Sequence, residues 1–132
     1  MAEPLLSYII FIGIFVKFLA LPELTSGDVV TYAALRLVTP ANTSTNSLVI
    51  TASKVTSSWN SHTNGTTLTW ANQPSISSTI EDYQVVTGQG EYRWDITDIA
   101  REWYQTGTNN GIALTFYPFS ICAIYLTLSW IF

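Results

Sequence analysis

A chain of 132 residues is one domain's worth of polymer, and its nine Asp and Glu against five Lys and Arg make it a poor partner for nucleic acid. Phosphate binding rests on clustered cations, whereas Lys17, Arg36, Lys54, Arg93 and Arg101 are scattered. A hydrophobic content of 48% argues against disorder, and a single Cys excludes an internal disulfide and a Cys-based zinc cluster.

Leu5 to Pro22 is apolar almost throughout, broken by Ser7, Tyr8, Gly13 and Lys17. Three readings stay open for it: a signal or membrane anchor, buried strands over Tyr8–Ile12 and Phe15–Phe18, or the product of a misplaced start. The residues before it include Glu3 and no Lys or Arg, unlike a signal's n-region. Val29–Thr39 then alternates, with Tyr32, Ala34, Arg36 and Val38 on one face and Ala33, Leu35 and Leu37 on the other, the pattern of a strand. A polar loop from Pro40 to Ser47 leads to a second strand, Leu48–Val55. Polar residues from Thr56 end at the Asn64-Gly65 turn, followed by a short strand, Thr67–Trp70. Tyr83–Val86 and Glu91–Ile96 read as strands around the Thr87–Gly90 turn.

One helix is expected around residues 97–105. Ile96, Ile99, Ala100, Trp103 and Tyr104 recur at helical spacing, Thr97 or Asp95 can cap the start, and Gly107 suits a left-handed C-cap. Ile112–Thr115 follows as a closing strand. Short strands at roughly ten-residue spacing with one helix point to an all-β fold, an antiparallel, jelly-roll-like β-sandwich. The expected organisation is an apolar segment over 1–15 (signal, anchor or altered strand), a sandwich domain over 16–115 and an apolar tail over 116–132. The tail reads as a membrane anchor, as last core strands or as a non-native extension.

Catalytic chemistry is not legible, and no catalytic residue is assigned. The sole His, His62, lies in a loop-like run, and Cys122 sits among apolar residues as a small hydrophobe. Glu81 and Asp82 are adjacent and would point apart on a strand, while Asp95, Asp98 and Glu102 fit helix capping and a solvated helix face. No cofactor or metal is assigned; a structural calcium at Asp95, Asp98 or Asn109 is the one metal site to weigh, without a legible ligand loop. Of the five Trp, Trp94 and Trp103 fall on apolar stripes and belong to the core. Trp59 and Trp70 flank a loop and are the candidate ligand-binding rings, with Asn72 and Gln73 as polar partners. A ring stacks on the apolar face of a sugar, and neighbouring polar groups take its hydroxyls. Asn42 and Asn64 head glycosylation sequons, which matter only in a secreted eukaryotic protein.

Three groups of residues resemble a known family. They are Val16-Lys17-Phe18 with Leu21 to Leu37; Val55-Thr56-Ser57-Ser58-Trp59 with Leu68-Thr69-Trp70-Ala71-Asn72-Gln73-Pro74; and Trp94-Asp95-Ile96-Thr97-Asp98-Ile99 with Trp103 and Asn109 to Leu114. Their order resembles the DNRLRE, or disaggregatase-related, domain of bacterial and archaeal surface proteins, which is also classed as a carbohydrate-binding module. The resemblance covers about residues 16–115 and reads as a truncated copy with altered ends. It implies a non-catalytic module that binds polysaccharide, extracellular or at the cell surface, as part of a larger protein, with membrane association open through the apolar ends. The alternative is a structural or adhesive spacer with no ligand of its own.

Overall fold

Alternation becomes layered burial in the computed structural model, which describes residues 5–10, 13–18, 21–41, 45–59, 72–117 and 127–131. The expected strand Thr67–Trp70, together with His62 and Cys122, lies outside these residues. The described strands are β1 (Leu5–Ile10), β2 (Gly13–Phe18), β3 (Ala34–Thr39), β4 (Leu48–Lys54), β5 (Asp82–Val86), β6 (Gly90–Asp95), β7 (Ile112–Tyr117) and β8 (Thr127–Ile131). The single described helix, α1, is Thr97–Thr106. One sheet runs β1-β2-β7-β4-β5 and the other β6-β3-β8, and every pairing is antiparallel. The all-β sandwich with one short helix is therefore the fold. Among the described residues no helix is long and apolar enough to cross a membrane.

The core lies between the sheets. Ile14, Val16 and Phe18 of β2, Leu48, Ile50 and Ala52 of β4, and Ile112 and Leu114 of β7 face Leu35, Leu37 and Trp94 of the smaller sheet. Trp94 is fully buried, and its indole Nε1 donates to the Ile50 carbonyl at 2.9 Å, joining one layer to the other. The larger sheet is also dry on part of its outer face. Phe15 and Ala113, register partners on β2 and β7, pack there with Val55, Trp59 and Ile76. Burial on both faces explains why β2 reads as a continuous apolar run rather than an alternating one.

The strand expected from Val29 begins only at Ala34. The period continues through the earlier residues, but their backbone is taken by the helix. The Ile96 N–H donates to the Ala33 carbonyl at 2.9 Å, the Ala33 N–H donates to Thr97 Oγ1 at 3.0 Å, and Arg101 Nε donates to the Val30 carbonyl at 2.8 Å. Residues 28–33 thus strap the first turns of α1, and Val29 is left 75% exposed. The helix ends as expected: Gly107 adopts φ 72° and its N–H donates to the Trp103 carbonyl at 2.9 Å.

Gly111 sits at φ 84°, against β2, where an added Cβ would collide with the Val16 carbonyl oxygen. Gly111→Ala is expected to destabilise the chain by at least about 1–3 kcal/mol, from a strained backbone plus the collision. Trp94→Ala is expected to cost about 3–5 kcal/mol and Trp94→Phe less, since the ring volume is largely kept while the bond to Ile50 is lost. Urea titrations of the three variants check the order and the sizes.

Candidate functional site

Where α1 meets the strap and the ends of β5 and β6, an open cleft of about 590 Å³ forms. Three separate stretches line it: Thr31 and Tyr32 from the strap, Glu81 and Asp82 at the start of β5, and a third running from Asp95 at the end of β6 to Thr97, Asp98 and Arg101 of α1. The strap is fixed at its far end as well. The Asp28 carboxylate accepts bonds from Thr25 Oγ1 at 2.7 Å and Thr25 N at 3.0 Å, and these bonds hold its pKa below the usual value. Tyr32 stands on this fixed segment with its side of the cleft open, 41% exposed. The Arg93 guanidinium is paired with Glu91 at 3.0 Å, which is the main reason its pKa is raised.

The carboxylates differ in environment. Ile96 occupies the N-cap position without a side-chain cap, and Asp95 serves instead. Asp95 Oδ1 accepts from the Thr97 N–H at 3.0 Å and from Thr97 Oγ1 at 2.6 Å. Those two bonds lower its pKa. Asp82 Oδ2 accepts the Asp95 N–H at 2.7 Å, which ties β5 to β6 across the layers. Asp98 lies 3.6 Å from Arg101. Glu81 goes the other way: partial burial raises its pKa, and the nearby charges of Asp98 and Asp95 add to the rise against the opposing Lys54. Glu81 precedes β5, so the strand alternation that would have sent it away from Asp82 does not apply. Chemically the cleft offers carboxylate acceptors, the Arg101 donors, three hydroxyls that do both, and an aromatic face.

The residues expected to contact a ligand lie elsewhere. Trp59 is only 4% exposed; its Nε1 donates to the Asn110 carbonyl at 2.6 Å, and its ring meets Phe15 edge-on with centroids 5.7 Å apart. Lys17 Nζ lies 5.9 Å from the Trp59 ring centre and donates to the Trp59 carbonyl at 3.2 Å. Asn72 and Gln73 are half-buried, and Gln73 Oε1 is buried with no hydrogen-bond partner. Trp70 lies outside the described residues. Asp95 and Asp98 share the cleft, but Asn109 is spent at the other end of α1, donating to the Phe18 carbonyl at 3.0 Å and accepting the Gly111 N–H at 2.9 Å. Among the described residues no three His, Cys, Asp or Glu side chains converge to hold a metal ion. The sequence reasoning missed Tyr32, Thr31 and Arg101; the only signal was an aromatic residue at the polar end of an overlong strand pattern.

A rigid two-layer sandwich that carries an open polar cleft between loops and strand ends is the frame of a ligand-binding module. The family model of carbohydrate-binding module family 96 matches residues 13–117, and the chain belongs to that family. Such families are generally non-catalytic. No curated protein and no solved structure matches the chain.

Asp95→Ala is expected to lower stability by about 1 kcal/mol, the usual cost of losing a helix cap, and Asp95→Asn by less. Glu81 carries the opposite sign. The folded chain holds its proton more tightly than the unfolded chain, so deprotonation costs stability. That cost is absent well below pH 4.5, the ordinary Glu value, and complete once pH has risen through the raised value. Glu81→Gln should therefore raise the melting temperature at neutral pH, with the gain vanishing as the solution is acidified below pH 4.5. Thermal melts across pH read both effects.

Proposed function

We propose that the chain is a non-catalytic polysaccharide-binding module whose glycan lies in the cleft headed by Tyr32. The observation that carries the reading is the exposed Tyr32 ring set beside Thr31, Thr97, Arg101 and the carboxylates. A pyranose presents an apolar C–H face and a rim of hydroxyls that both donate and accept. The ring takes the face, and the surrounding side chains take the rim without any covalent step. Family membership supplies the ligand class. The DNRLRE-like order of motifs supports placement in a larger extracellular or cell-surface protein.

A second reading keeps the contacts on Trp59, Trp70, Asn72 and Gln73. One observation favours it: Gln73 Oε1 is a buried acceptor with no partner, which a glycan hydroxyl would satisfy. Electrophoresis through gels containing embedded polysaccharides separates the two. Tyr32→Ala is expected to weaken retention by about tenfold or more, with the melt unchanged because the ring is exposed. Asn72→Ala and Gln73→Ala are expected to leave retention intact. The converse pattern moves the site to Asn72 and Gln73, and no retention of the unaltered chain on any glycan leaves a spacer role.

A further inference from the structure

The Tyr32 cleft does not end at Asp98. It shares Glu81 and Asp98 with a second cleft of about 190 Å³ beside the middle of α1. That cleft shares Lys54 and Glu102 with a third, of about 270 Å³, at the C-terminal end of the helix. The shared residues run the three together along one side of α1. Ten residues of helix span about 15 Å, the length of an oligosaccharide rather than of a single sugar.

The partition between the second and third clefts is the Lys54–Glu102 pair, at 2.8 Å and with both side chains partly exposed. An exposed ion pair of this kind contributes little, so hydroxyls can replace it at small cost. Beyond it, one residue of the third cleft's lining, the core residue Trp103, carries an indole N–H without a partner. Trp103 is 3% exposed, lines that cleft, and its indole Nε1 is buried with no acceptor. Trp59 and Trp94 contrast with it: each gives its indole N–H to a backbone carbonyl. A buried donor without an acceptor is costly, and a ligand oxygen that arrives there removes the cost. Thr56, Thr106 and Thr108 add hydroxyls around the same space.

We infer that the three clefts form one groove that takes a linear oligosaccharide along α1. The Lys54–Glu102 pair parts as the chain lies down, and the Trp103 indole N–H donates to a sugar oxygen at the far end. This rests on the reading that the Tyr32 cleft holds glycan.

The test is isothermal titration of the full chain with disaccharides and hexasaccharides cut from xylan, mannan, β-glucan and alginate. For the glycan that binds, the hexasaccharide should bind about tenfold more tightly than the disaccharide. Trp103→Phe, which keeps a ring but removes the N–H, should abolish that advantage and leave disaccharide binding unchanged. Thr56→Trp, which fills the third cleft from an exposed position, should do the same. In the unaltered chain the Trp103 indole N–H resonance should shift with the hexasaccharide and stay with the disaccharide. Equal affinity for both lengths, or a hexasaccharide advantage that survives Thr56→Trp, overturns the extended groove and leaves the Tyr32 cleft standing. Binding of neither length, or binding of both that is indifferent to Tyr32→Ala, overturns the cleft reading and the groove with it.

Discussion

The bond from Trp94 to the Ile50 carbonyl crosses from the three-stranded layer to the five-stranded one at the centre of the core. Two sheets packed face to face have no backbone bonds between them, so their relative position rests on side-chain packing alone. A buried indole whose N–H reaches the opposite strand adds a directional constraint to that packing. Burying the indole without an acceptor would be unfavourable, so sliding one layer over the other breaks packing and hydrogen bonding at once. Asp82 repeats the arrangement at the edge by taking the Asp95 N–H of β6 from the start of β5. The cleft walls contributed by β5 and β6 inherit their spacing from these contacts and from the bond that Gln84 Nε2 donates to the Arg93 carbonyl.

The helix is placed by the same economy. Its stripe of Ile99, Ala100 and Trp103 enters the core, while its polar side meets the strap through Thr97 and Arg101. Asp95 thereby caps the helix and faces the cleft together, and Arg101 binds the strap and lines the cleft. Structural and ligand-facing duties fall on the same side chains. Tyr32, by contrast, lines the opening at a position held by its neighbours' backbone bonds.

Period and turn chemistry made most of the sandwich readable. The strands β3 to β7, the helix and its Gly107 cap follow from alternation, the helical stripe and local turn signals, and Trp94 and Trp103 fall on the faces that those patterns bury. The strap was not readable, because alternation carries on through Val29–Ala33 while the backbone pairs with a helix instead of a strand. Trp59 stood out as a candidate ligand contact for a related reason. The polar Ser57-Ser58 beside it hides that Phe15 and Ala113 make a dry patch on the outer face of the larger sheet. The cleft itself was invisible along the chain because its walls come from three distant stretches. Each of its carboxylates already had a sufficient local explanation as a cap or a strand-end charge.

The turn Asn109-Asn110-Gly111 serves three neighbours at once. Asn109 holds the end of β2 through the Phe18 carbonyl, Asn110 receives the Trp59 indole, and the Gly111 carbonyl accepts the Val55 N–H. Asn110 also borders the cleft at the C-terminal end of α1. The segment 55–59 is therefore not an interchangeable appendage. Transplanting it onto another sandwich, or swapping in a relative's version, would require carrying this tripeptide along, so these distant parts are constrained to diverge together.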